Sequence, residues 1–332
     1  MAKERKTVTK KTPKKNGSSS KTAPITNRKF LSILRFKKRR AQSDILPGYV
    51  GFSKEVLRTL TDNKKLFLRL TLLFWVASLV IFGAAQQSQF QALRDSVSDL
   101  TTVVTNFDQK SLAVAALTLS IFSGGLNAAF TEAQQGYAAV FYLFVWLAVI
   151  WLVRHLLSGS VVKVRDGLYN AGGPIIATVL VSLFGILQLL PMAIGVAVYA
   201  AVNGAGVSNP FILLFVFAIL LLLTALSLYW LVSTLFALIL TTLPGSYPVY
   251  AIRSANKIVK GVRLKVLYRV LWLTLILSVF SLIILAVAVA INIYFNIALL
   301  PLLVSQLLTI TGLVYASSYI YLLYRKIIDE RG

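Results

Sequence analysis

Polar and apolar positions along this chain separate into blocks. From Gly167 to Ile252, and again from Val270 to Tyr324, there is no Lys, Arg, Asp or Glu, and Leu, Val, Ile, Ala and Phe fill both intervals. Each interval exceeds the roughly 20 apolar residues with which a helix crosses a bilayer. Each also contains a break, VNGAGVSNP at 202–210 and NIYFNI at 292–297, where the chain can fold back. Hydrocarbon offers the backbone no hydrogen-bond partners, so segments of this kind must satisfy their own amides and are predicted helical. Six spans are expected, at 66–85, 137–154, 174–201, 211–240, 268–291 and 298–324. The predicted fold class is all-α, a polytopic helical membrane protein of about six transmembrane helices.

The connections carry the orientation. Arg154, Lys163, Arg165, Arg253, Lys257, Lys260, Arg263, Lys265 and Arg269 lie in or beside two of them, whereas 202–210 and 292–297 are uncharged. The positive-inside rule assigns the basic connections, and with them both termini, to the cytoplasm. The outer loop, 86–136, agrees: Asp95, Asp99, Asp108 and Glu132 stand against only Arg94 and Lys110, which leaves 32 of the 34 Lys and Arg on one side. Within that loop the apolar stretch 111–130 is interrupted by Gly124-Gly125 and is expected as an outer-face or re-entrant helix, since a seventh crossing would break the charge asymmetry. The expected location is the cell membrane.

Composition narrows the chemistry. At 57% apolar residues the chain lies outside the soluble range. No cysteine is present, which removes disulfides and thiolate ligands, and one histidine with 11 carboxylates is a poor supply for acid–base or metal chemistry. No catalytic residue, cofactor or metal is therefore expected. The first apolar run begins near Leu66, too late for a cleaved signal peptide, so the first span is expected to act as an uncleaved anchor.

Most of the charge is at the beginning. Residues 1–69 hold 20 Lys and Arg against four carboxylates, a formal +16. The tail, 1–46, opens in Lys, Thr, Ser, Pro and Asn, a composition of disorder. It then runs through RKFLSILRFKKRR at 28–40, where Arg35, Lys37, Lys38, Arg39 and Arg40 are interleaved with Phe and Leu. Such a segment suits anionic lipid headgroups at roughly 1 kcal/mol per cation. Nucleic acid would use the same charge by counterion release and is disfavoured by the membrane tether; a topology-setting tail or a protein partner at the cytoplasmic face are the other readings.

Three segments resemble one another. Residues 47–74 and 244–272 both begin Pro-Gly, pass a Tyr, form an amphipathic helix, turn at a polar knot and enter a span through Lys or Arg; 161–180 is a shorter copy. In the third copy Val249, Ile252, Val259 and Val262 are expected to form the apolar face, with Arg253, Lys257 and Lys260 reaching headgroups. The architecture expected is three units, each an elbow helix followed by two spans. The third segment, with Ala-x-Arg-Ser and Val-Lys-Gly before a new span, resembles the membrane domain of glycerophosphoryl diester phosphodiesterase membrane-domain proteins. LPGYVGF, RDGLYNAGGP and TLPGSYP resemble uncharacterised six-span proteins of Saccharibacteria type. That resemblance implies the six-span fold and no activity.

Individual polar residues have mainly structural expectations. His155 reads as a headgroup-level residue and Asp166 as an ion-pair or helix N-terminal partner. Gln188 near Pro191 marks a kink with a packing hydrogen bond. Trp151, Trp230, Trp272 and Tyr315, Tyr319, Tyr321 and Tyr324 are expected in interfacial belts. The function expected is a non-enzymatic scaffold that organises lipid or partners. The alternative is a passive or partner-driven permease subunit with a pathway near Gln188, Ser281 and Gln306.

Overall fold

The computed structural model describes residues 47–83, 132–206, 209–243, 246–295 and 300–331. The tail and 111–130 lie outside them. The described residues are helical, in the order α1 (Tyr49–Asp62), α2 (Lys64–Ser78, continued by a π-helical turn Leu79–Gly83), α3 (Glu132–Leu157), α4 (Val164–Ala171) and α5 (Ile175–Gln188). The chain continues through α6 (Leu190–Gly204), α7 (Pro210–Leu240), α8 (Pro248–Val259), α9 (Arg263–Phe295) and α10 (Leu300–Arg331). Among the described residues, five stretches are long and apolar enough to cross a membrane: Lys64–Phe82, Gln135–Leu157, Pro210–Leu240, Arg263–Leu285 and Leu303–Asp329.

The expected span at 174–201 is broken into α5 and α6, yet it runs as a single partner of α7. Thr178 meets Thr241 hydroxyl to hydroxyl at 3.1 Å, Thr234 Oγ1 donates to Gln188 Oε1 at 2.7 Å, and the Tyr199 and Phe217 rings lie 6.3 Å apart. Residue numbers rise along α5 and α6 as they fall along α7, so the two short helices together form one antiparallel crossing. The break is satisfied from outside. Pro191 prevents a continuous ladder, and the Met192 N–H at the start of α6 donates to Ser227 Oγ on α7 at 3.1 Å. By contrast α4, which meets α5 at 68°, is short and carries Arg165 and Asp166, so it is an elbow rather than part of the span.

The threefold repeat is visible residue by residue. In α1, α4 and α8 the fourth and eighth positions are buried: Phe52 and Val56, Gly167 and Ala171, Ala251 and Ala255. In the spans that follow, the fourth, seventh and eleventh positions are buried: Phe67, Leu70 and Phe74 in α2; Thr178, Val181 and Gly185 in α5; Val266, Arg269 and Leu273 in α9. A shared burial register of this kind follows from the same two helices meeting the same neighbours in each unit.

Those neighbours close a ring. Each elbow packs on the second span of the preceding unit: α4 on α3, α8 on α7, and α1 on α10. Each second span also packs on the first span of the next unit, α3 on α5, α7 on α9 and α10 on α2. The second spans converge at the basic end, where Arg154 Nη1 of α3 donates to Thr242 O beyond α7 at 3.0 Å and Phe236 of α7 meets Tyr324 of α10 edge to face at 5.6 Å. Every residue from Val145 to Ile150 and from Ser317 to Tyr324 is buried.

Two expectations are corrected here. Tyr319, Tyr321 and Tyr324 are buried where the second spans meet, not set in an interfacial belt, because α10 is central and its apolar surroundings are protein. In α8 the buried stripe is Ala251, Ala255 and Val259, while Val249 is 60% exposed. Of the expected face Val259 is buried, Ile252 and Val262 are half-buried against the core, and only Val249 turns outward; close approach of the elbow to its neighbours places small residues, Ala251 and Ala255, at the other inward positions.

A basic cleft at the third elbow

The polar chemistry of the described residues concentrates at the basic end, where the first and third elbows differ. Where α1 closes on α9 and α10, Arg269 is buried at the position that Leu70 and Val181 occupy in the other units. Its Nη2 donates to Pro47 O at 2.9 Å, and its guanidinium lies 5.4 Å from the centre of the Tyr49 ring and 5.3 Å from that of Phe52. Phe52 in turn meets Tyr319 edge to face at 4.7 Å, Tyr315 Oη donates to Ser53 O at 3.1 Å, and Lys326 pairs with Glu55. Aromatic faces and a carbonyl offset part of the cost of burying this cation, whose Nη1 is buried without an acceptor. The node is a clasp that holds the first elbow.

The third elbow ends differently. After Val259 the chain turns through Lys260 and Gly261, whose φ of +88° is the left-handed conformation that glycine adopts without strain, and α9 begins at Arg263. An open cleft of about 370 Å³ lies in this junction, lined by Tyr229, Asn256, Lys257, Lys260, Gly261 and Arg263. Three of the six are cations and none is a carboxylate. Arg263 is held in place: its Nη2 donates to Asn256 Oδ1 at 2.7 Å and its guanidinium sits 5.1 Å from the Tyr229 ring centre, while Nε is buried without an acceptor. The first elbow has a counterpart of about 510 Å³ at its own junction. Thr59, Asp62, Asn63 and Leu66 line it with 156–157 and 159–162, a set that carries a carboxylate and no cation.

Of the residues expected to contact headgroups, Lys257 and Lys260 come together in the cleft, and Arg253 stands exposed one turn earlier on α8. Arg35, Lys37, Lys38, Arg39 and Arg40 lie outside the described residues. Arg263 is the site residue that sequence reasoning passed over. Its signal was the Lys-Gly at 260–261, which ends one helix and sets the first residue of the next beside it.

Other polar residues do structural work. The Asp166 carboxylate accepts the Lys163 N–H at 3.0 Å and so caps α4, as a helix N-terminal partner. The imidazole of His155 stacks on Trp151 at 3.9 Å with Nδ1 2.9 Å from Trp151 O. Gln188 is bonded to Thr234, as a packing residue at a kink should be.

Fold and site together define a multi-pass helical membrane protein with a cationic end. No protein-family model, curated protein or solved structure matches the chain.

Proposed function

We propose that this chain is a non-enzymatic organiser of the membrane surface in a cell membrane, oriented with its basic end and both termini in the cytoplasm. The observation that carries the reading is the division of α8 into two sides. Ala251, Ala255 and Val259 are buried against neighbouring helices, while Arg253, Lys257 and Lys260 are exposed roughly opposite them. An elbow docked in this way presents cations at headgroup level without moving, and anionic lipids gain about 1 kcal/mol per cation there. A protein partner with an acidic surface would engage the same face. The sequence at 28–40 carries a further set of cations.

Energy transfer from Trp to labelled phosphatidylglycerol in mixed nanodiscs measures the enrichment of anionic lipid around the chain. The full chain should enrich it over phosphatidylcholine. Deleting residues 1–40 and neutralising Arg253, Lys257 and Lys260 should remove the enrichment while insertion persists. Equal enrichment by the stripped chain contradicts the reading.

One observation favours a permease subunit as a second reading: Gln306 Oε1 is buried on α10 without a donor. Solute flux in reconstituted vesicles that falls on Gln306→Leu would support it, and no flux across a broad solute panel would oppose it.

A further inference from the structure

The ring of three units is not charge-symmetric at its elbow–span junctions. Of the two junction clefts described above, the first contains Asp62 and no cation, and the third contains Lys257, Lys260 and Arg263. The fold thus repeats while the charge at the junction does not. We propose that the cleft at the end of α8 is a discrete binding site for a phosphate group, one per chain, recognised by Arg263 with Lys257 and Lys260.

The geometry suits phosphate in several respects. Arg263 is already oriented by Asn256 and Tyr229, so little side-chain entropy remains to be lost when its fork meets phosphate oxygens. Lys257, in the last turn of α8, and Lys260, at its C-terminal cap, contribute compact charges from one side of the turn that Gly261 makes, and Arg263 faces them from the other. The site also lies at the N-terminus of the 33-residue α9, where the first backbone N–H groups lack helical acceptors and the helix dipole favours negative charge. Where a charged elbow meets the start of a span is the depth of lipid phosphates, but a phosphate ester in the aqueous phase would carry the same recognised group.

This inference rests on the proposed lipid-organising role and narrows it from a charged face to a stoichiometric site. The test is native mass spectrometry of the full chain released from phosphatidylcholine nanodiscs doped with phosphatidylglycerol. One retained phosphatidylglycerol per chain is expected. Lys257→Gln/Lys260→Gln/Arg263→Gln should lower its occupancy at least ten-fold, whereas Lys64→Gln/Lys65→Gln, at the start of the equivalent span in the first unit, should leave it unchanged. The single variant Lys260→Gln, in which the Arg263 contacts remain, guards against misfolding of the triple variant and should lower occupancy by a smaller factor. Glycerol 3-phosphate added in solution separates the sources. If it displaces the lipid, the site takes a phosphate from either phase; if it does not, the site is specific to a membrane lipid; both outcomes support a phosphate site. Equal loss in the Lys64/Lys65 variant, or undiminished retention in the triple variant, overturns it. If retention is unchanged while anionic lipid is still enriched around the chain by energy transfer, the discrete site fails and the broader role stands.

Discussion

Gly167 is the fourth residue of α4, and a β-carbon there would fall 2.6 Å from Leu152 Cγ and within 3.0 Å of both its methyl carbons. The corresponding positions hold Phe52 and Ala251, so this elbow approaches its neighbour most closely. Gly167→Ala should destabilise the protein by about 1–3 kcal/mol through overpacking, read as a lowered Tm in nanodiscs, and Leu152→Ala in the same chain should recover part of the loss. A Tm equal to that of the unaltered protein would mean that α4 is less tightly seated. The bond between Thr234 and Gln188 is a second local test. A double-mutant cycle of Thr234→Val and Gln188→Leu should give a coupling of about 0.6 kcal/mol, the size found for hydrogen bonds between membrane helices. Zero coupling would contradict a packing role for Gln188. The kink was legible in the sequence from Gln188 and Pro191. The Ser227 hydroxyl that takes the freed Met192 N–H was not, because its role depends on the register of a neighbouring helix.

Among the elements, the three elbows show what a pattern of residues conveys and what it omits. The first and third could be read from the repeated Pro-Gly, Tyr, polar turn and cationic start of a span, and the second only as a shorter copy without the Pro-Gly opening or that cationic start. Which face is buried could be read only in part: Val259 belongs to the expected face of α8, whereas Ala251 and Ala255, selected by close approach, carry little hydrophobic signal. Nor could the burial of Tyr319, Tyr321 and Tyr324 be read, because an aromatic cluster near a charged terminus has the same composition whether it faces lipid headgroups or neighbouring spans. The clasp at Arg269 is similarly a product of the ring: it brings Pro47 and Arg269 together across 222 positions of sequence. Arg269→Leu restores the residue type of Leu70 and removes both the bond to Pro47 and the cation–π contacts. The loss is worth about 1–2 kcal/mol to the docking of α1. Hydrogen exchange of α1 should accelerate roughly ten-fold, with α4 and α8 unaffected. Exchange that rises equally in all three elbows would show that Arg269 supports the bundle as a whole.

In the whole molecule, charge, helix pairing and topology are expected to agree. All three elbows and both basic connections belong to one end of the bundle, and the crossing made of α5 and α6 must carry the chain to the other. That last step decides the count of spans. If α4, α5 and α6 instead formed a re-entrant excursion, the connection after α6 would return to the side on which it began. The absence of cysteine from the sequence makes the measurement direct. Single cysteines at Ser160, Gly206 and Ser246 are introduced in turn and exposed to a membrane-impermeant maleimide in intact cells. Gly206→Cys should react from outside, and Ser160→Cys and Ser246→Cys only after the membrane is opened. Reaction of Gly206→Cys only after opening, with the other two, would contradict the crossing by α5 and α6 and the orientation built on it.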